Sequence, residues 1–145
     1  MGLDMYLTAR IHLASDAGVE VSGVDATQGL EVAAVEYDLG YWRKANAIHG
    51  WFVNQVQGGV DDCASYDVSI YQLRSLRDAC NKALEEVNPE GLPPTSGFFF
   101  GSTDVDDYYW DDLRATVAIC NKAEELMNGT THQRRWWRFT YQSSW

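Results

Sequence analysis

The densest chemical text in this sequence is Tyr41-Trp42-Arg43-Lys44-Ala45-Asn46-Ala47-Ile48-His49-Gly50-Trp51-Phe52. An indole can stack on a ring or base, while a guanidinium and an ammonium attract an anion. An amide and an imidazole add directional hydrogen bonds. Trp42, Asn46 and His49 stand four and three residues apart, a spacing that on a helix gathers them onto one strip. Arg43 and Lys44 flank that strip and are the only adjacent cations in residues 1–60. The expected ligand-binding set is therefore Trp42, Arg43, Lys44, Asn46 and His49, joined by Ser102 from the loop before Asp104. The plainer account is an amphipathic helix whose Asn and His find their partners inside the core.

A second constellation runs from Gly97 through Phe98-Phe99-Phe100-Gly101-Ser102-Thr103 to Asp112, with five Asp in the nine positions 104–112. A calcium loop does not fit. With Asp104 first, Tyr109 stands where Gly is needed and Ala115 where Glu is needed. A magnesium site asks for only one or two carboxylates beside a substrate phosphate, which leaves Asp104, Asp106 and Asp107 as weak metal candidates. Acidic residues at a helix start, compensating its dipole, explain the same run. No metal is assigned, and no cofactor is called for.

Signatures of nucleophilic or nucleotide chemistry are missing: there is no GxSxG, no Walker loop and no HExxH. His12, His49 and His132 are scattered. Cys63, Cys80 and Cys120 are an odd set without CxxC spacing, as expected for reduced thiols. Cys63, flanked by Asp61 and Asp62, makes a poor catalytic thiol. The run Arg134-Arg135-Trp136-Trp137-Arg138 resembles a nucleic-acid stacking patch, and a basic strand laid on an acidic body accounts for it as well.

The elements that must carry these residues follow from periodicity. Leu3, Met5, Leu7, Ala9, Ile11 and Leu13 alternate with polar residues, predicting a half-buried strand over 3–13. A hairpin over 19–24 and 30–37 is expected next. From Tyr41 the period becomes three to four, predicting a helix to about Gln57. Ser69 and Gln72 form a capping box that opens a second helix, which Asn88-Pro89 stops. Ser102 or Thr103 is expected to cap a third helix closing at Asn128-Gly129, and residues 134–142 read as a last strand. Leu73-Arg74, Cys80-Asn81-Lys82-Ala83 and Glu85 recur 40 residues later as Leu113-Arg114, Cys120-Asn121-Lys122-Ala123 and Glu125. That echo predicts two helices packed side by side, each presenting a small buried Cys.

Composition bounds what the protein can do. The chain has 145 residues and a formal charge of −10. Residues 61–130 hold fourteen acids against five bases, and residues 131–145 hold three bases and no acid. Such a field repels nucleic acid and anionic membranes, so duplex DNA binding is disfavoured while a basic partner is not. The N-terminus lacks a signal-peptide pattern, and no apolar run reaches the ~18 residues of a membrane span. A cytoplasmic, soluble protein is expected.

The blocks Gly2-Leu3-Asp4-Met5-Tyr6-Leu7, Tyr41 to Asn46 with Ile48-His49 and Trp51-Phe52, Asp61-Asp62-Cys63, and Ser96 to Asp104 with Tyr108-Tyr109 resemble a family of small proteins. Its members occur in bacteriophages and bacteria, mostly without assigned function. The resemblance implies a phage or prophage context and a host cytoplasm, and it carries over no catalytic residue. Small acidic accessory proteins in that setting often bind and neutralise a host component.

The expectation is thus one α+β domain over 1–145. It would hold an antiparallel sheet of the N-terminal strand, a hairpin and the C-terminal strand, covered by three helices. The expected function is non-enzymatic binding that sequesters or blocks a host component, through a host-protein contact or a small anionic, nucleotide-like ligand. The rivals are a metal-dependent enzyme on a phosphate-containing substrate, with His49 as base, and an acidic nucleic-acid mimic. Homo-oligomerisation is left open.

Overall fold

Alternation along the first strand decides the architecture. In the computed structural model, which describes residues 2–13, 32–130 and 137–145, Asp4–His12 form β1. Leu3, Met5, Leu7, Ala9 and Ile11 all turn inward and are buried. Each fully buried Leu or Met contributes about 1.5–3 kcal/mol, so a register slip of one residue would expose the whole set. On one side β1 pairs antiparallel with β2, Ala34–Arg43. On the other it pairs antiparallel with β4, Arg138–Ser144. A three-residue strand β3, Tyr66–Val68, adds to the far edge of β4, giving the order β2-β1-β4-β3. Three helices complete an α+β fold with an antiparallel sheet.

The chain departs from expectation at Tyr41. Tyr41, Trp42 and Arg43 are not helical; they continue β2, opposite Tyr6, Met5 and Asp4. Lys44 then adopts a left-handed conformation (φ +57°). Its N–H donates to the Leu3 carbonyl, at 2.7 Å, which ends the ladder. Helix α1, Asn46–Gln55, starts after Ala45 without a side-chain cap. A strand running into an uncapped helix leaves no punctuation for sequence to show. The predicted hairpin is likewise shifted: its second arm begins at Ala34 rather than Leu30, and the proposed 19–24 arm lies outside the described residues. Gly40 in β2 is required by close approach, because a Cβ there would lie 2.7 Å from the Ile119 side chain.

Helix α2, Ile70–Glu86, begins at the expected Ser69–Gln72 capping box. It ends on Val87, an exposed β-branched residue in the left-handed conformation (φ +50°), where Gly is the usual choice. Helix α3, Asp107–Thr130, packs against it. The 40-residue echo is the interface: Leu73, Leu76, Cys80 and Ala83 are buried on α2, and Leu113, Thr116, Cys120 and Ala123 on α3. Arg74 makes a two-pronged bond to Glu124 at 2.8 and 2.6 Å, and Arg77 reaches Asn121. The pairs therefore run antiparallel. Burial pushes both interface thiols up to about 12, which leaves them protonated small apolar residues. Among the described residues no helix is long and apolar enough to cross a membrane.

Candidate functional site

The junction between β2 and α1 forms one wall of a cleft of about 280 Å³. Arg43, Lys44 and Asn46 line that wall. Gly101, Ser102, Asp104 and Asp106 come from the long connection before α3, and Tyr108, Tyr109 and Asp112 from the first turns of α3 itself. Of the six residues expected to bind ligand, the fold thus brings Arg43, Lys44, Asn46 and Ser102 together. Trp42 and His49 are not among the lining residues. Asp104 and Asp106 line the cleft while Asp107 does not.

Asn46 builds the cleft. Its Nδ2 donates to the carbonyls of Phe100, at 3.0 Å, and Ser102, at 2.8 Å, and its Oδ1 accepts from the Thr95 N–H at 3.0 Å. Buried and fully engaged, Asn46 pins the connection that forms the opposite wall. Two further bonds hold that connection: Leu3 N–H to the Phe99 carbonyl and Tyr109 O–H to the Leu92 carbonyl. Trp42 is the brace behind the site. It is buried in β2, and its Nε1 donates to Thr116 Oγ1 at 2.9 Å, while that hydroxyl donates to the Asp112 carbonyl. This chain explains the one polar position in the buried stripe of α3.

Lys44 is held with unusual care for a surface lysine. Its left-handed backbone costs of order 1 kcal/mol or more for a residue with a Cβ. Its stem runs against two glycines: a Cβ on Gly101 (φ +82°) would come within 3.1 Å of Lys44 Cδ, and one on Gly2 within 3.2 Å of Cε. Among the described residues the Lys44 ammonium has no carboxylate partner, whereas Arg43 has a loose, exposed pair with Asp4 at 3.9 Å.

Ser102 does not cap α3, nor does Thr103. The cap is Asp106, whose Oδ1 accepts from the Tyr109 N–H at 3.1 Å, and Ser102 Oγ instead accepts from the Asp104 N–H. A carboxylate at that position is favoured over a hydroxyl by the helix dipole. Among the described residues no three His, Cys, Asp or Glu side chains are grouped so as to hold a metal ion.

The residue that sequence reasoning passed over is Asp112. Burial raises its carboxyl from 3.8 to about 6, with Asp106 and Asp111 adding to the effect. A signal existed: Asp112 lies three residues after Tyr109 and four before Thr116, both buried, so it had to sit beside the core stripe.

His49 belongs to a separate node. The ring is completely buried, Nδ1 lies 2.7 Å from Tyr141 Oη, and Nε2 lies 2.9 Å from Asp61 Oδ2. Asp61 Oδ1 also accepts from Trp145 Nε1 at 3.0 Å. Burial, then Asp61 and Cys63, drives the Tyr141 phenol upward, so it stays protonated, and the imidazole bridges that hydroxyl and the Asp61 carboxylate. Tyr141 stacks on Phe52 at 3.8 Å between ring centres. His49 is thus a clasp joining α1, β4 and the Asp61 turn, with every ring nitrogen satisfied.

Comparison with family models, with curated proteins and with solved structures finds no match to this chain.

Proposed function

We propose that this is an accessory binding protein whose cleft receives the anionic group of a small ligand. The observation behind this reading is Lys44: on a strained backbone at the cleft wall, its ammonium unpaired among the described residues and its stem seated between two glycines, in a protein of net charge −10. Strain of this kind persists where surrounding structure over-determines it, and it clusters at ligand-binding sites. Arg43 and Ser102 stand beside it, and Asn46 holds the opposite wall in place before any ligand arrives, which lowers the ordering cost of binding. In the phage or prophage setting that the sequence blocks imply, such a cleft would serve to sequester or block a host component.

The test is a calorimetric and melting titration with inorganic phosphate and short carboxylates. Ligand at a hundred times its dissociation constant stabilises by ~2.7 kcal/mol. The expected result is a rise in melting temperature that Lys44→Gln abolishes and His49→Gln does not. Equal stabilisation of the Lys44→Gln variant would dismiss the cleft as the site.

A further inference from the structure

Four acidic side chains of the described residues are partly buried: Asp4, Asp61, Asp112 and Glu124. Asp4 takes the Tyr41 hydroxyl at 2.6 Å and lies near Arg43. Asp61 takes His49 and Trp145. Glu124 takes Arg74. Asp112 alone has neither a hydrogen bond to its carboxylate nor an ion pair among the described residues. It lines the same cleft as Lys44. Every described arginine has a carboxylate partner, as does Lys122, whereas Lys44 and Lys82 have none among the described residues, and of these two Lys44 lines the cleft with Asp112.

Opposite charges therefore share one cleft without meeting. No pair between Arg43 or Lys44 and Asp104, Asp106 or Asp112 is within ion-pairing distance, although the chain forms such pairs freely elsewhere. Withdrawing a carboxylate from water without a partner is costly, and the group answers by holding its proton, which is the behaviour of Asp112. The missing partner is a cation that the described residues do not supply.

We infer that the ligand is a compact zwitterion, its cationic nitrogen read by Asp112 and its anionic group by Lys44. This rests on the binding reading of the cleft given above and specifies its ligand class. The volume of about 280 Å³ suits a molecule of amino-acid or aminoalkyl-phosphate size, below the usual range for larger ligands. Tyr108, exposed at the rim beside Asp112, offers an aromatic face to the ammonium. Asp106 is committed to the Tyr109 N–H and Asp104 is exposed to water, so of the three carboxylates on the cleft Asp112 is the partly buried one without a partner among the described residues.

The experiment is calorimetry at neutral pH with matched probes: glycine, β-alanine, 4-aminobutyrate and 6-aminohexanoate, then butyrate and butylammonium as the separated halves. One zwitterion of the series should bind at least about tenfold tighter than either half, as one charge-assisted hydrogen bond implies. Asp112→Asn should cut that affinity by about tenfold without weakening butyrate binding, and Lys44→Gln should weaken both. Melting curves of each variant establish that it is folded. If butyrate binds as tightly as every zwitterion, or Asp112→Asn changes nothing, the zwitterion inference is overturned and the anion-binding reading stands. If neither the zwitterions nor butyrate nor inorganic phosphate binds, both are overturned.

Discussion

Two polar clusters grow from the same twelve residues, Tyr41 to Phe52, and they behave in opposite ways. Around His49 every ring nitrogen has a partner, and the imidazole has no exposed surface. The Lys44 and Asp112 charges stand at least partly in water with no partner among the described residues. Buried polar groups that satisfy one another fix a structure, because each lost bond leaves an orphan behind. Charges held apart in a cleft store a demand that a ligand can meet. The contrast separates polar groups that hold the fold together from polar groups that the described fold leaves unmatched.

The largest expected effect lies at the closed cluster. His49→Ala should destabilise by about 3–5 kcal/mol, from the cavity and from the orphaned Tyr141 hydroxyl and Asp61 Oδ2. Urea unfolding with a midpoint within error of the parent would break the comparison outright. Tyr141→Phe keeps the stacking on Phe52 and removes one bond to His49. It should cost about 1–2 kcal/mol in the same assay, and a neutral result would mean that the imidazole finds another donor.

The open cluster should respond with the opposite sign. The folded state holds the Asp112 proton more tightly than the unfolded chain does, since the carboxyl moves from 3.8 to about 6. Its contribution to stability is complete below pH ~4 and disappears as pH rises to about 6. Asp112→Asn should therefore stabilise the protein by about 1 kcal/mol at neutral pH, after allowing for solvent screening of a partly exposed group. The gain should vanish near pH 4. Thermal melts of both proteins at the two pH values check this, and a loss of stability at neutral pH would place Asp112 among the structural residues.

The smallest effect serves as a control on strain. Val87 and Lys44 share the left-handed conformation, one far along the chain on an exposed helix end and one on the cleft wall. Val87→Gly should raise stability by roughly 0.5 kcal/mol, relief of the Cβ clash being offset by the entropy of Gly, and should leave probe binding unchanged. Lys44→Gly should shift the melt by a similar amount but abolish binding. If both variants bind alike, strain at Lys44 has no functional meaning.

Strand and helix content was legible where one period ran long enough: the eleven-residue alternation of β1, the capping box of α2 and the echoed stripes of α2 and α3. The β2–α1 join was not, because Trp42, Asn46 and His49 happen to fall at helical spacing while pairing opposite Met5 keeps Trp42 in the sheet. β3 is too short to carry a period and exists through its pairing with β4. Of the cleft, the chain's own vocabulary announced Arg43, Lys44 and Ser102. Asn46 was legible as important and misread in role, since its partners Thr95, Phe100 and Ser102 are set by the fold. Asp112 was hidden among five neighbouring acids, and only the phase of α3 separates it from them.

The position of β1 has a consequence for how the molecule is made. β1 is the first strand of the chain and lies in the middle of the sheet, with β4, the last strand, as one of its two neighbours. β3 has no sheet to join until β4 has arrived between them. The α2–α3 contacts, by contrast, join residues 50 apart at Arg74–Glu124 and 44 apart at Arg77–Asn121, a much shorter closure than that of Asp4 with Ser144. Pairing of the chain's distant ends pays its loop-closure entropy late, which slows folding. During synthesis Leu3, Met5 and Leu7 must wait for their second neighbour strand until β4 has been made. Over that interval the edge of β1 that β4 will cover is open to other strands, so a nascent population of this protein is at its most association-prone before β4 arrives.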